Sequence, residues 1–171
     1  IIMIPKIKVF SKKKFYDFCR GLHLTKETID TQEGLKRHYI IISICNTSAS
    51  KPDEDIWYAN GCNTHYFNEG PNVLNLDFDD FTNDTEGAMT LEDAERIRDF
   101  IIPFIDSTEP IELIIHCSAG LSRSFSVGEF IYDYINYKQG WKPSLEASIA
   151  SSTNYYVKDK LKQVFYELDK D

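Results

Sequence analysis

An α/β fold, with a central, mostly parallel sheet flanked by helices on both faces, follows from three features of the chain. Strand-like and helix-like segments alternate along its length. Two of the strand-like segments, Arg37–Cys45 and Ile111–His116, carry continuous apolar, β-branched runs of the kind found in strands buried on both faces. The segments between them carry helix caps and apolar positions at helical spacing. The chain has 171 residues, 42% of them hydrophobic, which is enough for one well-buried domain and little for two. No repeat, low-complexity tract or Pro/Gly-rich linker divides it, so residues 1–171 read as a single domain.

Taken in order, Ile7–Phe10 reads as a strand. Ser11 follows as the N-cap of a helix through Phe15, Phe18 and Cys19 that ends at Gly21, because a serine oxygen accepts from the free amides of a first turn. Arg37–Cys45 is a buried strand, and Thr47–Asp55, polar and interrupted by Pro52, is a loop. Asn72–Phe78 is the next strand, followed by an acidic loop over Asp79–Met89. Thr90 opens a helix with Asp93 at the third helical position, and Leu91, Ala94, Ile97, Ile101, Phe104 and Ile105 fall on one face. Ile111–His116 is a further buried strand. Phe125–Tyr137 reads as a helix stopping near Gly140, Pro143–Ala150 as a short helix, and Asn154 as the cap of a last helix carrying Val157, Leu161, Val164, Phe165 and Leu168.

Charge and cysteine usage narrow the function classes. The net charge of −8 is unevenly spread: residues 1–40 hold nine Lys or Arg and four acidic residues, whereas residues 52–95 hold twelve acidic residues and no Lys or Arg. Such a surface disfavours nucleic acid as a partner. Cys19, Cys45, Cys62 and Cys117 form no C-x-x-C pair, which argues against a zinc site or a disulfide framework and for a reducing compartment. Tyr39–Ile44 and Ile111–Ile115, the longest apolar stretches, are far too short to span a membrane, and Ile1–Ile4 is too brief for a secretory core. A soluble, cytoplasmic protein is expected.

The chemistry concentrates where the strand Ile111–His116 ends, in Cys117-Ser118-Ala119-Gly120-Leu121-Ser122-Arg123-Ser124. Between a strand and the helix that follows, the amides of Ser118–Arg123 can converge into a nest at the positive end of that helix, where a phosphate dianion fits. Gly120 permits the torsions of a tight curl, and the small Ser118 and Ala119 leave room for the anion. The same field stabilises a thiolate at Cys117. Arg123 offers a planar fork that holds two phosphoryl oxygens at once, which a lysine does not. Ser124 can place its hydroxyl near the sulfur and ease departure of the thiolate. His116 is expected to order the loop backbone by hydrogen bonding rather than to transfer protons. His116 and Cys117 lack the further ligand spacing of a tetrahedral metal site, so neither metal nor cofactor is expected.

His-Cys-Ser-Ala-Gly-Leu-Ser-Arg-Ser resembles the signature of the cysteine-dependent protein tyrosine phosphatases, especially the small dual-specificity branch, and the Leu-Asp-Phe-Asp-Asp stretch over residues 76–80 resembles compact bacterial and phage phosphatase-like proteins. The match is specific over residues 111–124 and looser over 72–168, while residues 1–70 resemble nothing closely enough to carry a role across. The resemblance implies a phosphotyrosine protein phosphatase II type of fold and hydrolysis of phosphotyrosine esters of a protein or peptide, with phosphoserine and phosphothreonine esters open as further substrates. It also implies a cysteinyl-phosphate intermediate on Cys117. The loop has no lysine, unlike the inositide-directed relatives. In the family, an aspartate from the loop after the preceding strand is the general acid. Laying residues 73–78 on that strand puts Asp80 in its place, with Asp79 second, Asp84 third and Asp77, inside the strand, last.

Substrate depth is open: Trp57, Tyr58, Tyr66, Phe67 and Phe81 could wall a deep cleft but are core by default, and a small chain without a recognition segment suggests a shallow, permissive site. Three rival readings also stay open: a pseudophosphatase that binds phosphotyrosine without turnover, a nucleic-acid 5′-phosphatase, and another thiolate enzyme such as a sulfurtransferase or an arsenate reductase. A pseudophosphatase typically loses the Cys or Arg, and the acidic surface counts against a nucleic-acid substrate. Oligomeric state is not legible, nor is redox protection of Cys117 by Cys45 or Cys62.

Overall fold

Residues 4, 6–29, 38–47, 64–107 and 109–167 are described in the computed structural model. Among them the chain forms β1 (Lys6–Ser11), α1 (Lys12–Gly21), β2 (His38–Cys45), β3 (Val73–Asp77), α2 (Leu91–Ile105), β4 (Ile111–Cys117), α3 (Arg123–Gln139), β5 (Ser144–Glu146) and α4 (Tyr155–Phe165). The strands make one sheet in the order β3-β2-β4-β1-β5, with every pair parallel. A mostly parallel sheet was expected, and the α/β class is as the alternating pattern indicates.

The pleat sorts side chains into two cores, because successive residues of a strand face opposite sides. Ile40, Ile42 and Ile44 of β2 join Leu113, Ile115 and Cys117 of β4 on the face covered by α2, α3 and α4. Tyr39 and Ile41 join Ile114 on the other face, where α1 packs through Phe15 and Cys19. All seven residues of β4 are buried, as befits a strand with a neighbour on each side and helices on both faces. Burial pushes the Cys19 thiol up to about 12, against a small opposing pull from Arg20.

Three helix starts have the chemistry the sequence implies. Ser11 Oγ accepts from the Lys14 amide, Thr90 and Asp93 form a reciprocal capping box, and Asn154 Oδ1 accepts from the amides of Tyr156 and Val157. Gly140, with φ of 72°, ends α3 in the left-handed region.

Several expectations change. Pro143–Ala150 is not a helix: Ser144–Glu146 pairs with Lys6–Lys8 as edge strand β5, because the free edge of β1 needs hydrogen-bond partners and this outweighs the local preference of Leu145, Glu146 and Ala147. Helix α3 starts at Arg123, two residues before Phe125, and so takes in Ser124. Leu91, at the first turn of α2, is exposed, unlike Ala94, Ile97, Ile101 and Ile105. Arg37, the loop from residue 48 to Asp55, Trp57, Tyr58, Cys62 and Leu168 lie outside the described residues. No helix among the described residues is long and apolar enough to cross a membrane.

Helices α3 and α4 are joined at their edge by Lys158, whose Nζ lies 2.8 Å from Glu129 Oε1 and 3.0 Å from Asp133 Oδ2. Thr153 Oγ1 donates to the same Glu129 oxygen at 2.8 Å. Burial opposes ionisation of Glu129, but the hydrogen bonds from Lys158 and Thr153 outweigh it and hold the carboxyl below its usual range. Burial likewise opposes the charge on Lys158, and its two carboxylate partners overcome this and raise it. The depressed carboxyl stabilises the fold above the ordinary glutamate range and loses this as pH falls through the folded value; the raised amine does so below the ordinary lysine range and loses it as pH rises. Lys158→Met is therefore expected to cost about 0.5–1 kcal/mol at pH 7 in urea unfolding. The difference from the parent should shrink below about pH 4, and a difference that stayed constant in acid would contradict the assignment.

Candidate active site

The chain leaves β4 toward β5 at one edge of the sheet and leaves β2 toward β3 at the other, so the strand order reverses between β2 and β4. Ligands in open α/β sheets bind outside the carboxyl ends of strands at such a point. Here a cleft of about 410 Å³ opens, lined by Asn46 after β2, Asp79–Phe81 after β3, and Cys117–Ala119 and Leu121–Arg123 after β4. Its volume is in the range of small-molecule sites.

The curl of the loop can be read from its carbonyls. Those of Ser118, Leu121 and Ser122 accept from the amides of Lys12, Ser152 and Ser126 at 3.1, 2.8 and 2.8 Å, and that of Gly120 accepts from Ser151 Oγ at 3.4 Å. Three of them turn outward to neighbouring elements, and that of Ser122 points along α3 as the first bond of the helix. A trans peptide unit points its N–H opposite to its C=O, so the amides of Ala119, Leu121, Ser122 and Arg123 turn to the inside of the curl. That is the donor arrangement of an anion nest at the start of α3.

Gly120 makes the curl possible. Its φ is 72°, and a Cβ there would stand 2.5 Å from Ser11 N and 2.6 Å from Phe10 C, both backbone atoms of β1. It faces β1 and not the cleft, so it shapes the loop without lining it.

Cys117 is only 2% exposed, at the floor of the cleft. Its Sγ accepts from the Gly120 amide at 3.3 Å and lies 3.1 Å from Ser124 Oγ, two contacts that hold the sulfur in place. Arg123 is 6% exposed. Its Nη1 donates to Asn46 Oδ1 and to the Phe78 carbonyl, both at 2.8 Å, and its Nη2 to Ser118 Oγ at 3.1 Å. These acceptors are neutral, so they aim the guanidinium without cancelling its charge. Ser118 Oγ also reaches Asn46 Oδ1 at 3.5 Å.

The four candidate aspartates separate cleanly. Asp80 is exposed at the rim of the cleft, and its Oδ1 accepts from Ser122 Oγ at 2.7 Å and from Asn154 Nδ2 at 2.9 Å. Asp79 also lines the cleft but is 3% exposed. Its Oδ1 accepts from the Thr47 amide at 3.0 Å, and its Oδ2 accepts from Thr47 Oγ1. Asp84 is exposed and lies outside the cleft lining. Asp77 ends β3 and meets His65 Nε2 at 2.8 Å, away from the cleft.

His116 bonds elsewhere than expected. Its Nε2 lies 2.7 Å from Ser43 Oγ on the neighbouring strand, and its ring stacks on Phe15 with centroids 4.2 Å apart, so the contact it makes is to β2 rather than to the loop backbone. The pleat explains this: Ser43 pairs in register with His116, and both face α1, while Cys117 faces the opposite core. Cys45, two residues after Ser43, shares its face, so the sheet separates it from Cys117 and a direct disulfide between the two is excluded in this geometry. The aromatic candidates divide likewise: Phe81 lines the cleft, Phe67 is core and Tyr66 packs against it.

Asn46, Thr47, Asn154 and Ser126 carry contacts that the signature does not contain. Ser126 Oγ donates to the Ser122 carbonyl and accepts from the Asn154 amide, both at 2.7 Å. The rule that strand carboxyl ends hold ligands could have pointed to Asn46 and Thr47; nothing local marks Asn154 beyond its cap.

A second cluster, Cys45, His65 and Asp77, brings three metal-ligand types within 4.8 Å of one another. His65, however, meets Asp77 with Nε2 and Cys45 Sγ with Nδ1, the latter at 3.4 Å. These nitrogens point away from each other, so the arrangement is a hydrogen-bond chain and not a coordination sphere. Compared with models of known protein families, with curated proteins and with solved structures, the chain matches none.

Gly120→Ala combines a left-handed torsion with a backbone collision, and is expected to cost about 2–5 kcal/mol in urea unfolding. A variant as stable as the parent would contradict the close approach of this loop to β1.

Proposed function

We propose that the chain hydrolyses phosphate monoesters through a cysteinyl-phosphate intermediate, as a protein phosphatase of the cysteine-dependent tyrosine phosphatase type. The observation that carries this reading is the shared cleft: a sulfur held by two hydrogen bonds, a guanidinium aimed by three neutral acceptors, and a ring of inward amides, with a carboxylate at the rim. The parallel sheet with the nucleophile after its central strand is compatible with the family's fold.

In the first step the Cys117 thiolate attacks phosphorus, the bond to the ester oxygen breaks, and Asp80 protonates that oxygen. Arg123 and the loop amides bind the equatorial oxygens more tightly as charge shifts in the transition state. In the second step water attacks phosphorus, Asp80 takes its proton, and the sulfur leaves as a thiolate toward which Ser124 donates. Asp80 suits the acid's part because Ser122 and Asn154 hold one of its oxygens and leave the carboxyl at the rim, where a leaving group departs. Asp79 suits a brace: it fixes Thr47, next to the Asn46 that aims Arg123.

The substrate class is a phosphorylated protein or peptide, with an aryl phosphate seated beside Phe81 and room in the open cleft for phosphoserine or phosphothreonine as well. The cytoplasm, where Cys117 stays reduced, is the compartment that suits it. A pseudophosphatase would share the geometry, and only turnover separates the two.

On an aryl phosphate, Cys117→Ser should abolish phosphate release while retaining the fold. Asp80→Asn should lower kcat by about 10²–10⁴, and Asp79→Asn should act more through KM and stability. Retention of most activity in Cys117→Ser would refute the reading, and tight phosphopeptide binding by the parent without phosphate release would establish the pseudophosphatase instead. A small loss at position 80 beside a large fall in kcat at 79 would exchange the two aspartates.

A further inference from the structure

The residue before the nucleophile ends a buried chain that reaches the surface. Asp77 Oδ1 lies 2.8 Å from His65 Nε2, His65 Nδ1 lies 2.7 Å from Ser43 Oγ, and the same Ser43 oxygen lies 2.7 Å from His116 Nε2. The exposed end is the Asp77 carboxylate, with 61% of its side chain accessible; the other end, His116, is fully buried. His116 Nδ1 is buried and has no hydrogen-bond partner among the described residues. Both nitrogens of His65 are engaged, whereas only one of His116 is.

We propose that Asp77, His65 and Ser43 form a relay that sets which ring nitrogen of His116 carries its hydrogen; its bearing on catalysis rests on the phosphatase reading, but the relay does not. The donors and acceptors allow two consistent states. An ionised carboxylate only accepts, so His65 keeps a hydrogen on Nε2 in both. With His65 neutral, its Nδ1 accepts from the Ser43 hydroxyl, the Ser43 oxygen accepts from His116 Nε2–H, and His116 Nδ1 is bare. With His65 protonated, its Nδ1–H donates to Ser43, the hydroxyl turns to donate to His116 Nε2, and the hydrogen of His116 stands on Nδ1.

The second state holds one more proton, taken from solvent. The former hydroxyl hydrogen of Ser43 forms the new N–H bond at His65 Nδ1, the hydrogen of His116 Nε2 takes its place on the Ser43 oxygen as that N–H bond breaks, and the added proton ends on His116 Nδ1. The added charge rests beside Asp77 and near solvent. Placed on His116 it would be buried against Phe15 with no counter-ion. Among the described residues, Asp77 from β3 and Cys45 from β2, 3.4 Å from His65 Nδ1, are the titratable groups in contact with the relay; α1, packed on the same sheet face, brings the uncharged Phe15 against His116 and also holds the thiol of Cys19, while Cys117, next to His116 in β4, faces the opposite side of the sheet. The consequence is that protonation at the surface reverses the imidazole dipole one peptide unit from the nucleophile. His65, Ser43 and Asp77 act as positioning residues, through His116.

The test is two-bond ¹H–¹⁵N correlation on the whole chain labelled in histidine, followed between about pH 5 and 8, where histidines ordinarily titrate. In the parent, His116 should pass from the Nε2–H to the Nδ1–H tautomer as pH falls, with the same midpoint as the titration of His65. Ser43→Ala and His65→Gln should each leave His116 in one tautomer throughout; should Ser43→Ala fail to fold, His65→Gln, at a partly exposed loop position, makes the same test. A His116 that keeps one tautomer while His65 titrates in the parent, or one that still switches in His65→Gln, would overturn the relay. No phosphate release enters the measurement, so a failed phosphatase assay leaves this result standing, and a failed relay leaves the phosphatase reading standing.

Discussion

Arg123 Nη1, shared between Asn46 Oδ1 and the Phe78 carbonyl, ties together the carboxyl ends of β2, β3 and β4. The rest of the cleft depends on this junction. A buried guanidinium must be hydrogen-bonded or its desolvation is uncompensated, so the residues after three strands are drawn to one point. Neutral acceptors take three of its five hydrogens and leave its charge uncancelled. Asp79 extends the brace by holding Thr47, and Asn154 extends it from the opposite side by holding Asp80 and capping α4.

Much of the fold was legible because the signals were of the reliable kind. A strand such as β4, apolar at five of its seven positions, a capping box at Thr90 and Asp93, and apolar positions at helical spacing in α2 and α4 each follow from local chemistry that tertiary packing does not oppose. Residues 143–150 differ from the helix their sequence favours because β5 exists only through its partner: Leu145 and Glu146 favour a helix, and the exposed edge of β1 decides otherwise. Helical spacing puts Leu91 on the buried face, yet as the first residue of α2 it is exposed.

The candidate site divides along the same line. Cys117, Arg123, Ser124 and the glycine of the curl lie within one short segment, where spacing alone implies proximity. Asn46, Thr47 and Asn154 are brought in by strand order and by a helix start far along the chain, and spacing says nothing about either. The ranking of aspartates was legible only as a short list. What separates Asp80 from Asp79 is that one side chain finds Ser122 and Asn154 at the rim and the other finds Thr47 in the interior. For His116 the local expectation failed for a simple reason: alternation along β4 turns it to the sheet face opposite Cys117, where Ser43 is its partner.

The most direct measurement is a crystal structure of the chain with a tetrahedral oxyanion such as tungstate or vanadate. The account predicts the anion inside the curl of residues 118–123, its oxygens on the loop amides and on Arg123, with Cys117 Sγ facing the central atom and Asp80 the nearer of the two candidate carboxylates to the outward oxygen. An anion bound elsewhere with this loop empty, or Cys117 and Arg123 turned to different surfaces, would contradict it.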